Sequence, residues 1–202
     1  MGLNINATLM FNQRHYNNVA NAFLEGTKNY SQKLLPFSVA SFFVSRVDTE
    51  IDKLLIDKDK NHKLLGKTAI INSRLAYITF LKKFPNQNKK PLQKPLWGST
   101  STKNPNYSDS MYIDKLIAPN TVNTVPLDAI EKFAKTGKPE NYNGWNEKEI
   151  LSQLSDLNKM GINLNQITED LQTKGVQLFA DSFDNLINSI ESKINNIQTQ
   201  AI

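Results

Sequence analysis

Short runs of apolar and β-branched residues alternate along the chain with longer stretches in which apolar positions recur every three or four residues. That alternation predicts an α/β protein built on a parallel sheet. Residues 5–11 predict a first strand, after which Tyr16, Val19, Ala20, Phe23 and Leu24 follow at helical spacing to about Gly26. Residues 39–44 are nearly all apolar, as a strand covered on both faces should be. Ile51, Leu54 and Leu55 open a helical stretch, and Leu64, Ala69, Ile70, Ser73, Leu75, Ala76, Phe80 and Leu81 continue at the same period. Residues 95–99 predict a third strand and 121–125 a fourth, closed by Pro126, which stands in the first turn of the next helix. The carboxyl-terminal third reads as helices over 147–160, 166–174 and 176–198, with Gly161 and Gly175 as stops. Four such strands make either a small open sheet or half of an eight-stranded barrel, a fold of about 250 residues when whole.

Composition narrows the class. The 202 residues, expected as a single domain, include no cysteine and are 39% apolar and 21% charged, which excludes a disulfide scaffold and charge-driven disorder. The most apolar segment, 34–44, is interrupted by Ser38 and Ser41 and is too short to cross a bilayer, so cytoplasm is the expected location and no membrane partner is expected. The net charge of +5 spreads over 24 basic and 19 acidic residues. Its one dense cluster, Lys82, Lys83, Lys89, Lys90 and Lys94, has Pro85 and Pro91 and only one ring, Phe84, among the lysines, so it reads as a surface loop. A nucleic-acid partner is the weakest reading.

The strand ends carry the candidate chemistry. Asn6 and Thr8, two apart, share one face of the first strand, and Ser41 and Phe43 share a face of the second. Arg46 follows at once, and the third strand runs into Ser99, Thr100, Ser101, Thr102 and Lys103. Hydroxyls and cations at the carboxyl ends of parallel strands lie where such sheets bind ligands, and the cations suit an anion such as phosphate. Plainer roles stay open: Asn6 and Thr8 could satisfy each other, and Arg46 could pair with Asp48 or Glu50 at the surface. His15 and His62 are expected exposed, and Trp97 and Trp145 are expected in packing. No metal cluster, glycine-rich phosphate loop or nucleophile elbow is present.

The segments NINATLMF at 4–11, VASFFVSRVDTEI at 39–51, GKTAIINSRLAY at 66–77, PLWGSTSTKNP at 95–105 and LIAPNTVNTVPLDA at 116–129 closely resemble the later strands and loops of transaldolases. GVQLFADSFDNLINSI at 175–190 resembles that family's closing helices, which pack over the barrel. The resemblance implies a (βα)8 TIM barrel of which this chain supplies strands five to eight. It implies transfer of a dihydroxyacetone unit between ketose and aldose phosphates in the pentose phosphate pathway, through a Schiff base on a lysine and with no cofactor or metal. By the same resemblance Asn6 and Thr8 meet substrate hydroxyls and the catalytic water, Ser41 is the sixth-strand hydroxyl, and Phe43 is a wall of the pocket. Arg46 and Ser99 hold the phosphate, with Lys103, displaced by Thr100 to Thr102, as its second basic ligand.

The family's Schiff-base lysine, glutamate and aspartate lie on the fourth, third and first strands, and this sequence begins at the fifth. Lys67, in a helix of the matched pattern, is no substitute. The expectation is a truncated or split chain, inactive alone, which binds sugar phosphates and pairs with a missing amino-terminal half or with itself. The alternative is a non-catalytic sugar-phosphate-binding or assembly-partner half-barrel.

Overall fold

The computed structural model describes residues 3–30, 36–87 and 92–200. Lys89, Lys90, Pro91 and the start of the apolar 34–44 segment lie outside the described residues. The elements follow in the order β1 (Ile5–Met10), α1 (Gln13–Thr27), β2 (Ser38–Phe43), α2 (Ser45–Lys58), α3 (Thr68–Lys83) and β3 (Gln93–Gly98). Then come α4 (Met111–Leu116), β4 (Val122–Asn123), α5 (Leu127–Thr136), α6 (Glu147–Lys159) and α7 (Leu164–Gln200). The strands form one parallel sheet in the order β1-β2-β3-β4. Among the described residues no helix is long and apolar enough to cross a membrane.

Strand register decides which side chains meet. β2 and β3 pair without interruption from Ser38↔Gln93 to Phe43↔Gly98. Phe42 and Trp97 are therefore cross-strand partners, both buried, with rings edge to face at 6.3 Å, and the Trp97 indole donates to the Leu116 carbonyl. Burying a ring of that size contributes roughly 1.5–3 kcal/mol. The opposite face carries Asn6, Ser41 and Phe43, because Asn6 pairs with Val39 and side chains alternate along a strand. Ile5 pairs with Ser38 on the other face. An even spacing is needed to share a face across in-register strands, and Ser38 and Phe43 are five apart.

Behind the sheet, α3 is buried on nearly every side and packs against α1, α2, α4 and α6. A helix apolar all round belongs in a core. Asn12 caps α1 by accepting from the His15 amide, and its own amide donates to Thr168 and Glu169 of α7. His15, expected exposed, is buried at 5%: its Nδ1 accepts from the Phe11 amide and its Nε2 meets Glu169 at 3.0 Å. The ring thus ties the end of β1 to α7. Salt-bridged to Arg14, and bonded by Asn12 and His15, Glu169 has its pKa lowered to about 2.

Other expectations also change. Gly175 does not stop a helix: α7 runs through it, and a Cβ there would stand 3.0 Å from a Leu9 methyl, so the glycine admits close packing of β1. Gly161 does end α6 near φ +74. The fourth strand shrinks to Val122–Asn123, since Pro126 opens α5 immediately afterwards. The lysine cluster is no single loop. Lys82 and Lys83 end α3, paired with Glu147 and Asn21, and Lys94 lies partly buried within β3.

Beyond Gly175, α7 leaves Val176, Phe179, Phe183, Leu186, Ile190 and Ile197 exposed at helical spacing. Leu3, Ile5 and Phe37 beside the β1 edge are also exposed.

Asn12→Ala is expected to destabilise the fold by about 1–3 kcal/mol, because the cap and two buried bonds to α7 go together. Urea unfolding measures it, and an unchanged midpoint would show that α7 docks without Asn12.

Candidate active site

The carboxyl ends of β2 and β3 are bound together past the last strand residues. The Val44 amide donates to Gly98 and the Ser45 amide to Ser99, both at 3.0 Å, and the Ser45 and Ser99 hydroxyls lie 2.9 Å apart. Ser99 takes a left-handed φ of +55, unusual for a residue with a Cβ, and the chain turns out of the sheet there. Thr100 secures the turn by donating to Asn123 Oδ1 at 2.9 Å.

An open depression of about 500 Å³ lies at these strand ends, lined by Phe43, Arg46, Ser99, Ser101 and Lys103 together with Thr100, Thr124 and Pro126. The Arg46 guanidinium stands over the Phe43 ring, 5.4 Å from its centre. A surface pair with Asp48 or Glu50 does not form, because Asp48 turns inward and Glu50 pairs with Lys53. Two helices, α2 and α5, start beside the depression, and neither has a side-chain cap. Their positive dipole ends add to Arg46 and Lys103. Neither first-turn acid, Asp48 or Asp128, lines the depression. The electrostatics therefore suit an anion.

Phe43, Arg46, Ser99 and Lys103 are thus brought together, whereas Asn6, Thr8 and Ser41 line a different part of the sheet. Asn6 is exposed on β1, and its Oδ1 accepts from the buried Ser41 hydroxyl at 2.6 Å; it does not pair with Thr8. Thr8 is exposed where the β1–β2 register slips, next to Leu9 at φ +61. Among the described residues no group of three or more His, Asp or Glu side chains could hold a metal. A separate cleft of about 400 Å³ between α3 and α6, with Arg74 stacked on Trp145, contains none of the expected site residues.

Four residues beside the depression escape a reading of the sequence. On α2, Asp48 accepts from the Ala69 amide at 2.7 Å and from Tyr112 at 2.9 Å. One turn on, Asp52 accepts from the Gly66 amide at 3.0 Å and from Tyr107 at 2.8 Å. Their signal was present: residues 48 and 52 fall on the same helical stripe as Ile51 and Leu55, which buries acids as surely as leucines. Burial raises Asp48 from 3.8 to about 7, against its two hydrogen bonds and with a smaller push from Asp52, which burial also raises. Burial raises both tyrosines too.

Comparison with known proteins follows the same lines. The family described as Transaldolase/Fructose-6-phosphate aldolase matches residues 1–190. The chain belongs to that family. The "Transaldolase" of Trichodesmium erythraeum is 38% identical over 97% of this chain and 58% of its own length. That of Saccharopolyspora erythraea is 37% identical over 96% and 56%, and that of Mycobacterium tuberculosis 36% over 92% and 54%. The chain therefore spans little more than half the length of these transaldolase relatives.

A folded-state pKa raised above the unfolded one means that the native protein holds the extra proton, so stability is fullest below about pH 4 for this group and declines toward pH 7. Asp48→Asn, which cannot ionise, is expected to flatten that decline. Urea midpoints at intervals from pH 4 to 7.5 test it, and parallel profiles for both proteins would remove Asp48 as the source.

Proposed function

We propose that this chain is the phosphate-gripping part of a transaldolase, an enzyme that passes a dihydroxyacetone unit from a ketose phosphate to an aldose phosphate in the pentose phosphate pathway. The observation that carries the reading is the convergence of Arg46, Lys103, Ser99 and two uncapped helix starts on one depression at the strand ends, in a chain of this family. The Arg46 fork grips two phosphate oxygens, and Lys103 adds a point charge from the other wall. Phe43 packs beside the guanidinium and bounds the sugar. Asn6 and Ser41, already bonded to each other, offer an amide and a hydroxyl to substrate hydroxyls, and Thr8 lies one pleat further along. Holding the phosphate in this way positions the carbonyl carbon for attack, which is where most of the binding energy is useful.

The attacking amine is a lysine from polypeptide beyond this sequence, on strands that continue the sheet past β1 and complete a (βα)8 barrel. Two observations support this. Among the described lysines, Lys94 alone lies within a strand, and it is level with Val39 at the amino-terminal end, away from the depression. The exposed Leu3, Ile5 and Phe37, with the apolar stripe of α7 beyond Gly175, form a surface that further strands and helices would cover. The placement of Lys94 away from the depression also supports a second reading, a chain that binds sugar phosphates without catalysis.

Arg46→Ala is expected to weaken binding of fructose 6-phosphate about tenfold to a hundredfold, the effect of losing a charge-assisted pair, with Arg46→Lys recovering only part. Titration calorimetry measures it, and equal affinities would return Arg46 to a surface role. Borohydride treatment of the chain with fructose 6-phosphate is expected to leave its intact mass unchanged. A stoichiometric three-carbon adduct on Lys94 or any other lysine would overturn the shared-site reading.

A further inference from the structure

We infer that Tyr107 and Tyr112 are positioning residues that keep Lys103 available to the anion, by anchoring the 99–110 segment and by occupying the two carboxylates that would otherwise draw the ammonium away. The inference rests on the proposed anion site.

Lys103 stands between two cavities. One is the depression with Arg46 and Ser99; the other, of about 170 Å³, is bounded by Asp48, Asp52, Lys53, Asn104, Tyr107 and Tyr112. An ammonium on a flexible stem reaches whichever side offers unpaired oxygens. On the acid side every carboxylate oxygen already has a donor. Asp48 receives Ala69 on Oδ1 and Tyr112 on Oδ2, and Asp52 receives Gly66 on Oδ1 and Tyr107 on Oδ2. Two of the four donors are backbone amides at the start of α3, fixed by the fold. The other two are the tyrosine hydroxyls, and both belong to the stretch of chain that leads away from Lys103.

The same hydroxyls fix the far end of that stretch. Its near end is tied at Ser99 and Thr100, and Thr102 donates to the Ser108 carbonyl at 2.8 Å. Beyond this, Tyr107 lies against Gly66, whose backbone is at φ +65 and where a Cβ would come within 2.7 Å of the ring. Only glycine admits the ring so close, and the ring in turn aims its hydroxyl at Asp52. The charged groups facing this cavity are the two acids and the cations Lys53 and Lys103, and Lys53 has its own partner in Glu50 at 3.0 Å. Removing a tyrosine hydroxyl therefore frees a carboxylate oxygen for which Lys103 is the uncommitted cation.

The test is a mutant cycle read by calorimetric titration with inorganic phosphate. Tyr107→Phe is expected to weaken phosphate binding about threefold to tenfold when Lys103 is present, and by less than twofold when made in Lys103→Ala, since the effect runs through that ammonium. A loosened fold would lower affinity equally in both backgrounds, and that result, or no loss at all, overturns the inference. If Tyr107→Phe does not fold, Tyr112→Phe in the same cycle, titrated well above pH 7 so that Asp48 is ionised, carries the test with the same two outcomes. Arg46→Ala separates the inference from the reading beneath it. If Arg46→Ala abolishes binding and Tyr107→Phe leaves it intact, the anion site stands and the tyrosine role falls. If Arg46→Ala binds as the unmodified chain does, the anion site falls and takes the inference with it.

Discussion

The uninterrupted parallel register of β2 and β3 is the constraint on which the site depends. Because Ser38 lies against Gln93 and Phe43 against Gly98, the two strands end level, and the amides of Val44 and Ser45 continue the ladder onto Gly98 and Ser99. The first turn of α2 is thereby fixed against the exit of β3. Arg46, on that turn, meets Ser99 and Lys103 across a gap set by strand spacing, not by loop flexibility. A shift of one residue would turn Phe42 and Trp97 away from the helix layer, exchanging the best-buried pair of the sheet for Ser41 and Leu96. Core packing and site geometry are thus enforced by the same register.

Backbone strain is concentrated at the strand ends. Leu9 and Ser99 both occupy the left-handed region, at φ +61 and +55, where a side chain costs about 1–2 kcal/mol. Each is held by neighbours that would lose bonds if it relaxed. Gln172 donates to the Leu9 carbonyl at 2.9 Å while Leu9 packs on Gly175, and Ser45 binds Ser99 through both backbone and hydroxyl. At Leu9 the strain makes a bulge in β1, after which Met10 still pairs with Phe42, whereas at Ser99 it turns the chain out of β3. Strain of this kind persists where the surrounding packing over-determines the conformation.

The sequence made the periodic elements and the gathering of Phe43, Arg46, Ser99 and Lys103 at the strand ends legible, because each rests on local information. A strand-then-helix pattern is written in spacing, and a lone arginine after an apolar strand is conspicuous in a chain with few arginines. What it concealed depends on contacts between distant segments. Gly175 has the composition of a helix stop, yet its role is set by a leucine more than 160 positions away. His15 sits in a polar stretch, and only the return of α7 past the end of β1 buries it. Asp48 and Asp52 occur in a segment rich in charge, and their inward aspect follows from sharing a stripe with Ile51 and Leu55. Alternation fixes parity within one strand but says nothing about the register between two, so which residues of β2 share a face with Ile5 is not written in the sequence.

Burial across the sheet is uneven, with a well-packed centre and open margins. β2 and β3 are buried at every position but one each, Phe43 and Lys94, whereas β1 is exposed over its first half and α7 leaves its apolar stripe open after Gly175. The helix layer behind the sheet is complete because α3 is enclosed by α1, α2, α4 and α6 of the same chain. Local packing can therefore stabilise the β2–β3 centre without help, while an exposed edge strand offers unpaired backbone groups to any strand that meets it. The proposed anion site lies on the finished side of that division, between β2, β3 and α5, so binding of phosphate does not have to wait for the margin at β1 to be covered. Chemistry that needs groups beyond β1 does. In the proposed reading, grip and reaction are therefore separable along the chain, with the boundary at β1, where the Asn6 amide oxygen accepts from Ser41.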